Sequence, residues 1–329
     1  MTRFVVRVLV AILAIGSPTP AFAYLKFGVR VGGNLVDIRW NRTIAYFVTD
    51  RGVPGVPSTE LRDAIGRAFS TWQGVSSAVE RSQFQSLTNV LPDGPDGRTT
   101  FGFVDRPDLD RVLGATNFFL DQRTGEIIEA DVFFNARFSW STATNGEAGR
   151  MDLQSVALHE IGHLLGLGHS ALGETEISGG GRRVLGSGAV MFPIALTAGS
   201  IADRQLQPDD RAGINDLYPT ADVSEETSSI GGRITKNGNG VFGAHVAAFN
   251  LETGALVGGF SLESDGTYVV AGLSPGAYLV RAEPLDDADT DSFFSGPVDV
   301  DFRVAYGARV VIAPAGGSSE PVNIQVRPK

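Results

Sequence analysis

Three of the chain's four histidines fall within eleven residues, in the run HEIGHLLGLGH at 159–169, and that run dictates much of the local fold. His159 and His163 are four apart, so on an α-helix they stand one turn apart on one face. Leu153, Val156, Ala157, Ile161, Leu164 and Leu165 mark the apolar positions of such a helix, with Asp152 placed to cap its start. His169 joins the pair only if the chain turns sharply first. Gly166 suits that break, because glycine enters the left-handed region at a helix C-terminus without steric cost.

Two imidazoles so placed reach one zinc ion at about 2.0–2.1 Å, and His169 supplies a third nitrogen. Three protein ligands leave a fourth position open to water, as in catalytic sites; structural zinc usually has four protein ligands. Glu160, beside the first histidine, is placed to take a proton from water there without itself binding metal. With 4 His and 41 Gly in 329 residues, chance agreement at all five fixed positions is negligible. His245 lies in an apparent strand, 244–249, and reads as packed or exposed rather than as a ligand.

Composition narrows the remaining classes. Lys and Arg total 27 against 37 Asp and Glu, a net charge of −10, which argues against binding nucleic acid through a basic surface. The absence of cysteine removes disulfides, thiolate zinc sites, cysteine nucleophiles and lipidated cysteines. At the N-terminus, Arg3 and Arg7 precede an apolar run from Val8 to Ile15, and Ala21-Phe22-Ala23 has the small-x-small pattern of a signal-peptide cleavage site. Residues 1–23 therefore read as a signal, cleaved near Ala23, that exports the chain to the extracellular space or periplasm. The run falls well short of the ~20 apolar residues that span a bilayer, and no later segment reaches that length.

Along the chain, alternation predicts a strand over 35–48, and Ser58 reads as the N-cap of a helix carrying Leu61, Ile65, Ala68, Phe69 and Trp72. Residues 92–98 form a turn cluster, and strands are expected over 101–104, 112–120 and 131–134. The Gly-rich stretch 178–188 reads as a surface loop, and a third helix is expected over 209–217. Composition changes after residue 219. The polar run 221–229 reads as linker, and beyond it strands alternate with turns and no helix. The expected class is thus α+β for residues 24–219, then a linker at 220–229 and an all-β sandwich over 230–329.

The motif H-E-x-x-H-x-x-G-x-x-H, followed 22 residues later by Met191 in AVMFP, resembles the metzincin metallopeptidases and their Met-turn. Ser170 directly after the third histidine resembles the matrixins among them. So do AFSTW (68–72), PDDRAGINDLYP (208–219) and GEIIEADVFFN (125–135), and the likeness spans roughly residues 35–219. The resemblance implies a mixed twisted sheet with three helices and a secreted zinc endopeptidase. It implies one catalytic Zn2+ on His159, His163 and His169, with Glu160 as general base and Met191 as an apolar floor. It further implies an extended polypeptide substrate laid along an edge strand near 112–118, touching Val112 and Gly114. Phe192, Pro193 and Ile194 would form the opposite wall and favour an apolar side chain after the cut bond.

Two departures stand out. Without cysteine, latency by a cysteine switch is excluded, and no histidine upstream of 159 is present to hold a second, structural zinc. The C-terminal region resembles carboxypeptidase-regulatory-like or Cna-B-type β-sandwich modules through GGRIT, GAHVAAFN and SDGTYVVAGLSPGAYLVRAE. That module motivates a rival reading, a surface adhesion or assembly protein whose zinc domain is structural. Asp105, Asp108 and Asp110 would suit Ca2+ or a solvated acidic turn. Asp287, Asp289 and Asp291 begin like an EF-hand, but Ser292 and Val298 stand where its Gly and Glu belong. Oligomeric state is left open.

Overall fold

The computed structural model describes residues 26–31, 34–75, 81–178, 181–195, 197–285, 290–294 and 296–329; the signal-peptide expectation lies outside them. A hairpin of β1 (Gly28–Val31) and β2 (Asn34–Asp37) precedes β3 (Ile44–Thr49). The single strand expected over 35–48 is therefore two, with Ile38 and Trp40 buried between them. The Trp40 indole Nε1–H donates to the Leu164 carbonyl at 2.9 Å.

Helix α1 (Ser58–Gln73) buries Leu61, Ala64, Ile65, Ala68, Phe69 and Trp72, the face its 3.6-residue periodicity marks out. Its cap is Pro57, whose carbonyl accepts the N–H groups of Glu60 and Leu61 at 3.0 Å, so Ser58 is the first helical residue and not the cap. The main sheet adds β4 (Ser82–Thr88), β5 (Thr99–Val104), β6 (Gly114–Leu120) and β7 (Ile127–Asn135), in the order β4-β3-β5-β7-β6. All its pairings are parallel except that of β6 with β7. β6 is thus an antiparallel edge strand.

A short parallel pair, β8 (Trp140–Ser141) and β9 (Met151–Asp152), leads into α2 (Leu153–Leu164). Asp152 caps α2, accepting the Ser155 N–H at 2.9 Å. The stretch read as a Gly-rich loop falls in an antiparallel strand pair, β10 (Gly173–Ser178) with β11 (Gly181–Ser187), in which Thr175 stands opposite Val184. Then come α3 (Pro208–Leu217) and α4 (Ala221–Glu226). Helix α4 occupies the stretch read as linker: Thr220 Oγ1 caps it by accepting the Val223 N–H, and Val223 is buried.

The remaining strands are β12 (Ser228–Lys236), β13 (Asn239–Gly240), β14 (His245–Asn250), β15 (Leu256–Phe260), β16 (Thr267–Leu273), β17 (Gly276–Glu283), β18 (Ala305–Tyr306), β19 (Val311–Ala313) and β20 (Ile324–Val326). One sheet runs β13-β12-β16 with β20 also on β12; the other runs β15-β14-β17-β18 with β19 also on β17. Ile230, Ile234, Tyr268 and Val270 of the first share a hydrophobic cluster with Val246, Ala248, Tyr278 and Val280 of the second. The same cluster takes in the core around α1 and α2, so the β-rich half packs on the α+β half. Among the described residues no helix is long and apolar enough to cross a membrane.

Candidate metal centre

Helix α2 is held on both sides. Trp72 of α1 donates from Nε1 to the Leu158 carbonyl at 2.8 Å, and Thr116 of β6 reaches Glu160. At its C-terminus the chain breaks at Gly166, whose φ of +107° is open to glycine and costly for other residues. The carbonyls released there find partners: Trp40 Nε1–H donates to Leu164, Tyr218 O–H to Leu165 at 2.7 Å, and the Phe27 N–H to Gly166 at 2.9 Å. The break is therefore fixed from three directions, which delivers His169 back towards the helix.

His159, His163 and His169 converge, with one ligating nitrogen from each lying within 4.8 Å of the others. Each Nδ1 faces a carbonyl oxygen: Val190 at 2.7 Å, Leu167 at 2.8 Å and Ser292 at 2.7 Å respectively. A carbonyl only accepts, so each Nδ1 carries the proton and each Nε2 presents a lone pair. The Nε2 atoms of His163 and His169 then face one another at 3.2 Å with no hydrogen between them. Two converging lone pairs repel unless a cation lies between them, and three neutral imidazole nitrogens are a donor set that suits zinc. Burial holds all three imidazoles below the usual histidine range, His169 at about 3, which keeps them neutral and able to ligate.

Glu160 is buried beside this cluster. Burial pushes its carboxyl up to about 7, opposed by the hydrogen bond that Thr116 Oγ1 donates to Oε2 at 2.8 Å. Oε1 faces Gly114, where a Cβ would lie 3.1 Å away. Met191 is buried under the helix, its Sδ so close that a Cβ on Gly162 would come within 2.2 Å of it. The turn that carries Met191 hangs on Asp210 of α3, which accepts the N–H groups of Val190 at 2.9 Å and Met191 at 3.1 Å.

The other expected residues are dispersed around this centre. Gly114 opens β6, and Val112, half-buried, lies just before it. Phe192 is buried against Gly173, Pro193 and Ile194 are half-buried, and residue 196 lies outside the described residues. His245 is buried, its Nδ1 2.8 Å from Glu283 Oε1, and is not part of the three-histidine group. Asp105 pairs with Arg137 and Asp108 with Arg106, both at 2.6 Å, and among the described residues Asp105, Asp108 and Asp110 form no group of converging metal ligands, so nothing supports calcium there. The EF-hand-like stretch lies largely outside the described residues.

Thr116, Asp210 and Ser292 were not singled out in the sequence. Thr116 lies within the expected edge strand and Asp210 within the run 208–219, where an acidic pair opening a helix reads as an ordinary helix start.

A sequence profile of the matrixin family matches residues 39–219. Among known proteins, the chain is 26% identical over 189 residues to metalloendoproteinase 4-MMP of Arabidopsis thaliana, covering 55% of this chain and 48% of that protein. It is 38% identical over 192 residues to metalloendoproteinase 5-MMP of the same plant, covering 53% and 46%. It is 25% identical over 210 residues to interstitial collagenase of Oryctolagus cuniculus, covering 58% of this chain and 36% of that protein. The chain thus spans less than half the length of each of these relatives.

Proposed function

This chain belongs to the matrixin family, and on that premise we propose that it is a zinc-dependent endopeptidase that cuts extended polypeptides outside the cytoplasm. The observation that carries the reading is the convergence of three neutral imidazole nitrogens next to a buried glutamate. His159, His163 and His169 would hold the ion. Zinc bound there would supply Lewis acidity towards water and the peptide carbonyl.

Glu160 would take the proton of the attacking water on Oε1, since Oε2 is engaged by Thr116, and return it to the leaving amine. Gly114 beside Oε1 has no side chain to fill that space. As the antiparallel edge of the sheet, β6 offers backbone groups to an added strand of substrate. Phe192, Pro193 and Ile194 would face the residue after the cut and favour an apolar side chain there. In this reading residues 1–23 direct export, 24–219 form the peptidase domain, and 230–329 form the β-sandwich domain docked on it.

The test is cleavage of casein or gelatin by the chain purified after export. Activity should vanish with a chelator, return with zinc, and be lost in Glu160→Ala with zinc still bound. Normal turnover by zinc-loaded Glu160→Ala would remove the assigned base, and a zinc-loaded parent that cuts nothing in a mixed peptide library would favour an adhesion role.

A further inference from the structure

Of the three carbonyls that orient the histidines, two come from near the metal-binding helix and one does not. Val190 and Leu167 serve His159 and His163; Ser292, which serves His169, lies 123 residues away in the β-rich half. Ser292 closes a single 3-10 turn, Thr290–Ser292, whose Thr290 carbonyl accepts the N–H groups of Phe293 at 3.0 Å and Phe294 at 2.8 Å. The two phenylalanines pin that turn. Phe293 is buried with its ring centroid 6.2 Å from that of His169 and 5.6 Å from that of Phe260, and Phe294 lies 5.4 Å from Phe260.

The segment just after His169 is covered by the same half of the molecule. Ala171 packs against the Phe260 cluster, Leu172 clusters with Ala247 of β14, and Asp209 Oδ1 accepts the Gly258 N–H of β15 at 2.7 Å. His169 stands beyond the break at Gly166, so the regular hydrogen bonding of α2 does not orient its ring. What orients it is the Ser292 carbonyl on one side and Phe293 against its face or edge.

We propose that the segment 290–294 is part of the metal centre: the Ser292 carbonyl is the positioning group for His169, so the third ligand is set by the β-sandwich region. This rests on the reading that the three histidines hold zinc. An acceptor on Nδ1 fixes ring plane and tautomer, and losing such an outer partner typically weakens metal binding about 10–100-fold. By linkage, zinc bound to His169 tightens the docking of the β-sandwich, and a loosened β-sandwich releases zinc by the same factor.

The experiment uses the full chain with zinc and with Co2+. Phe293→Ala frees the turn, Phe293→Leu keeps an apolar anchor, and Phe242→Ala loosens the same cluster through Phe294, 5.4 Å away, without touching His169. Phe293→Ala should bind zinc about 10–100-fold more weakly in chelator competition and alter the visible cobalt spectrum. Phe293→Leu should recover most of the affinity, and Phe242→Ala should keep the parent affinity and spectrum even if its Tm falls. Equal zinc affinity in Phe293→Ala and parent overturns the proposal, as does equal weakening by Phe242→Ala.

A second measurement needs no variant. In the isotope-labelled parent chain, the His169 Nδ1–H should be a slowly exchanging proton with nuclear Overhauser contacts to Ser292 and Phe293. Its absence overturns the proposal even if the variants fail to fold. A parent that binds no zinc but shows these contacts removes the metal reading instead, so the two failures are distinct.

Discussion

Thr116 Oγ1 lies 2.8 Å from Glu160 Oε2 and 3.0 Å from the Glu160 carbonyl oxygen, tying the edge strand β6 to the second residue of the histidine motif. Both side chains are buried, so no water substitutes for the bond. Thr116→Val keeps the shape and removes the donor. A hydrogen bond to a charged group contributes about 1.5–3 kcal/mol, so kcat should fall about tenfold or more with zinc content unchanged. Thr116→Ser should keep most of the rate. Steady-state kinetics beside metal analysis decides it, and an unimpaired Val variant would show that Glu160 needs no such support.

The helix, its break and the three converging histidines were legible because their geometry is local: a four-residue spacing, a glycine and a third histidine lie within eleven residues. The edge position of β6 was legible through family resemblance. Thr116, Asp210 and Ser292 were not, because each acts on a residue that only the topology brings near. Ser292 is the extreme case: it contributes a backbone carbonyl, which every residue has, so no side-chain pattern could have marked it. The stretch 220–229 misled for another reason. Polar composition is shared by linkers and exposed short helices, and a Thr cap over one buried valine was enough to form α4.

Gly162 should tolerate no side chain. An added Cβ would fall 2.2 Å from Met191 Sδ and 2.9 Å from the Trp72 ring, and the tryptophan is fully buried and fixed through its Nε1. Gly162→Ala would have to push Met191 aside and with it Val190, whose carbonyl orients His159. Overpacking of this kind costs about 1–3 kcal/mol, so Tm should drop by several degrees and zinc affinity should fall. A double-mutant cycle with Met191→Ala should show positive coupling, the alanine being better tolerated once the thioether is gone. Strict additivity would place the strain elsewhere.

Asp210 suspends the Met191 turn with both oxygens: Oδ2 accepts the N–H groups of Val190 and Gln207, and Oδ1 that of Met191. Asp210→Asn replaces one acceptor by an amide that faces a buried N–H. Leaving such a donor unpaired costs about 1–3 kcal/mol. Chemical denaturation should show a loss of that size, accompanied by weaker zinc binding because Val190 moves with the turn. Loss of stability with intact zinc affinity would mean that the turn does not govern the site.

Asp131 on β7, whose carboxyl group accepts the Thr100 and Gly94 N–H groups, offers a pH test. Burial, with the Glu129 charge adding to it, pushes its carboxyl from the ordinary 3.8 up to about 8, against the pull of the Thr100 and Gly94 N–H groups that donate to it. The folded chain therefore keeps a proton on Asp131 up to about pH 8, while the unfolded chain releases it near pH 4. Between those values the native state binds the more protons, so this group lowers stability as pH rises, by at most about 1.4 kcal/mol per pH unit. Asp203 and Asp210, near 6, and Asp209, near 7, titrate in the same window, so the difference between parent and Asp131→Asn is the quantity to follow. At pH 5 a protonated Asp131 and an asparagine are both uncharged, each with one carbonyl acceptor and a donor group, so the stability difference measured there is the baseline. By pH 8 the parent should have lost ground to the variant, because over that range only the parent's unfolded chain gives up a proton that its folded chain keeps. Urea unfolding of both chains at the two pH values measures this, and an unchanged difference would mean that Asp131 stays ionised throughout.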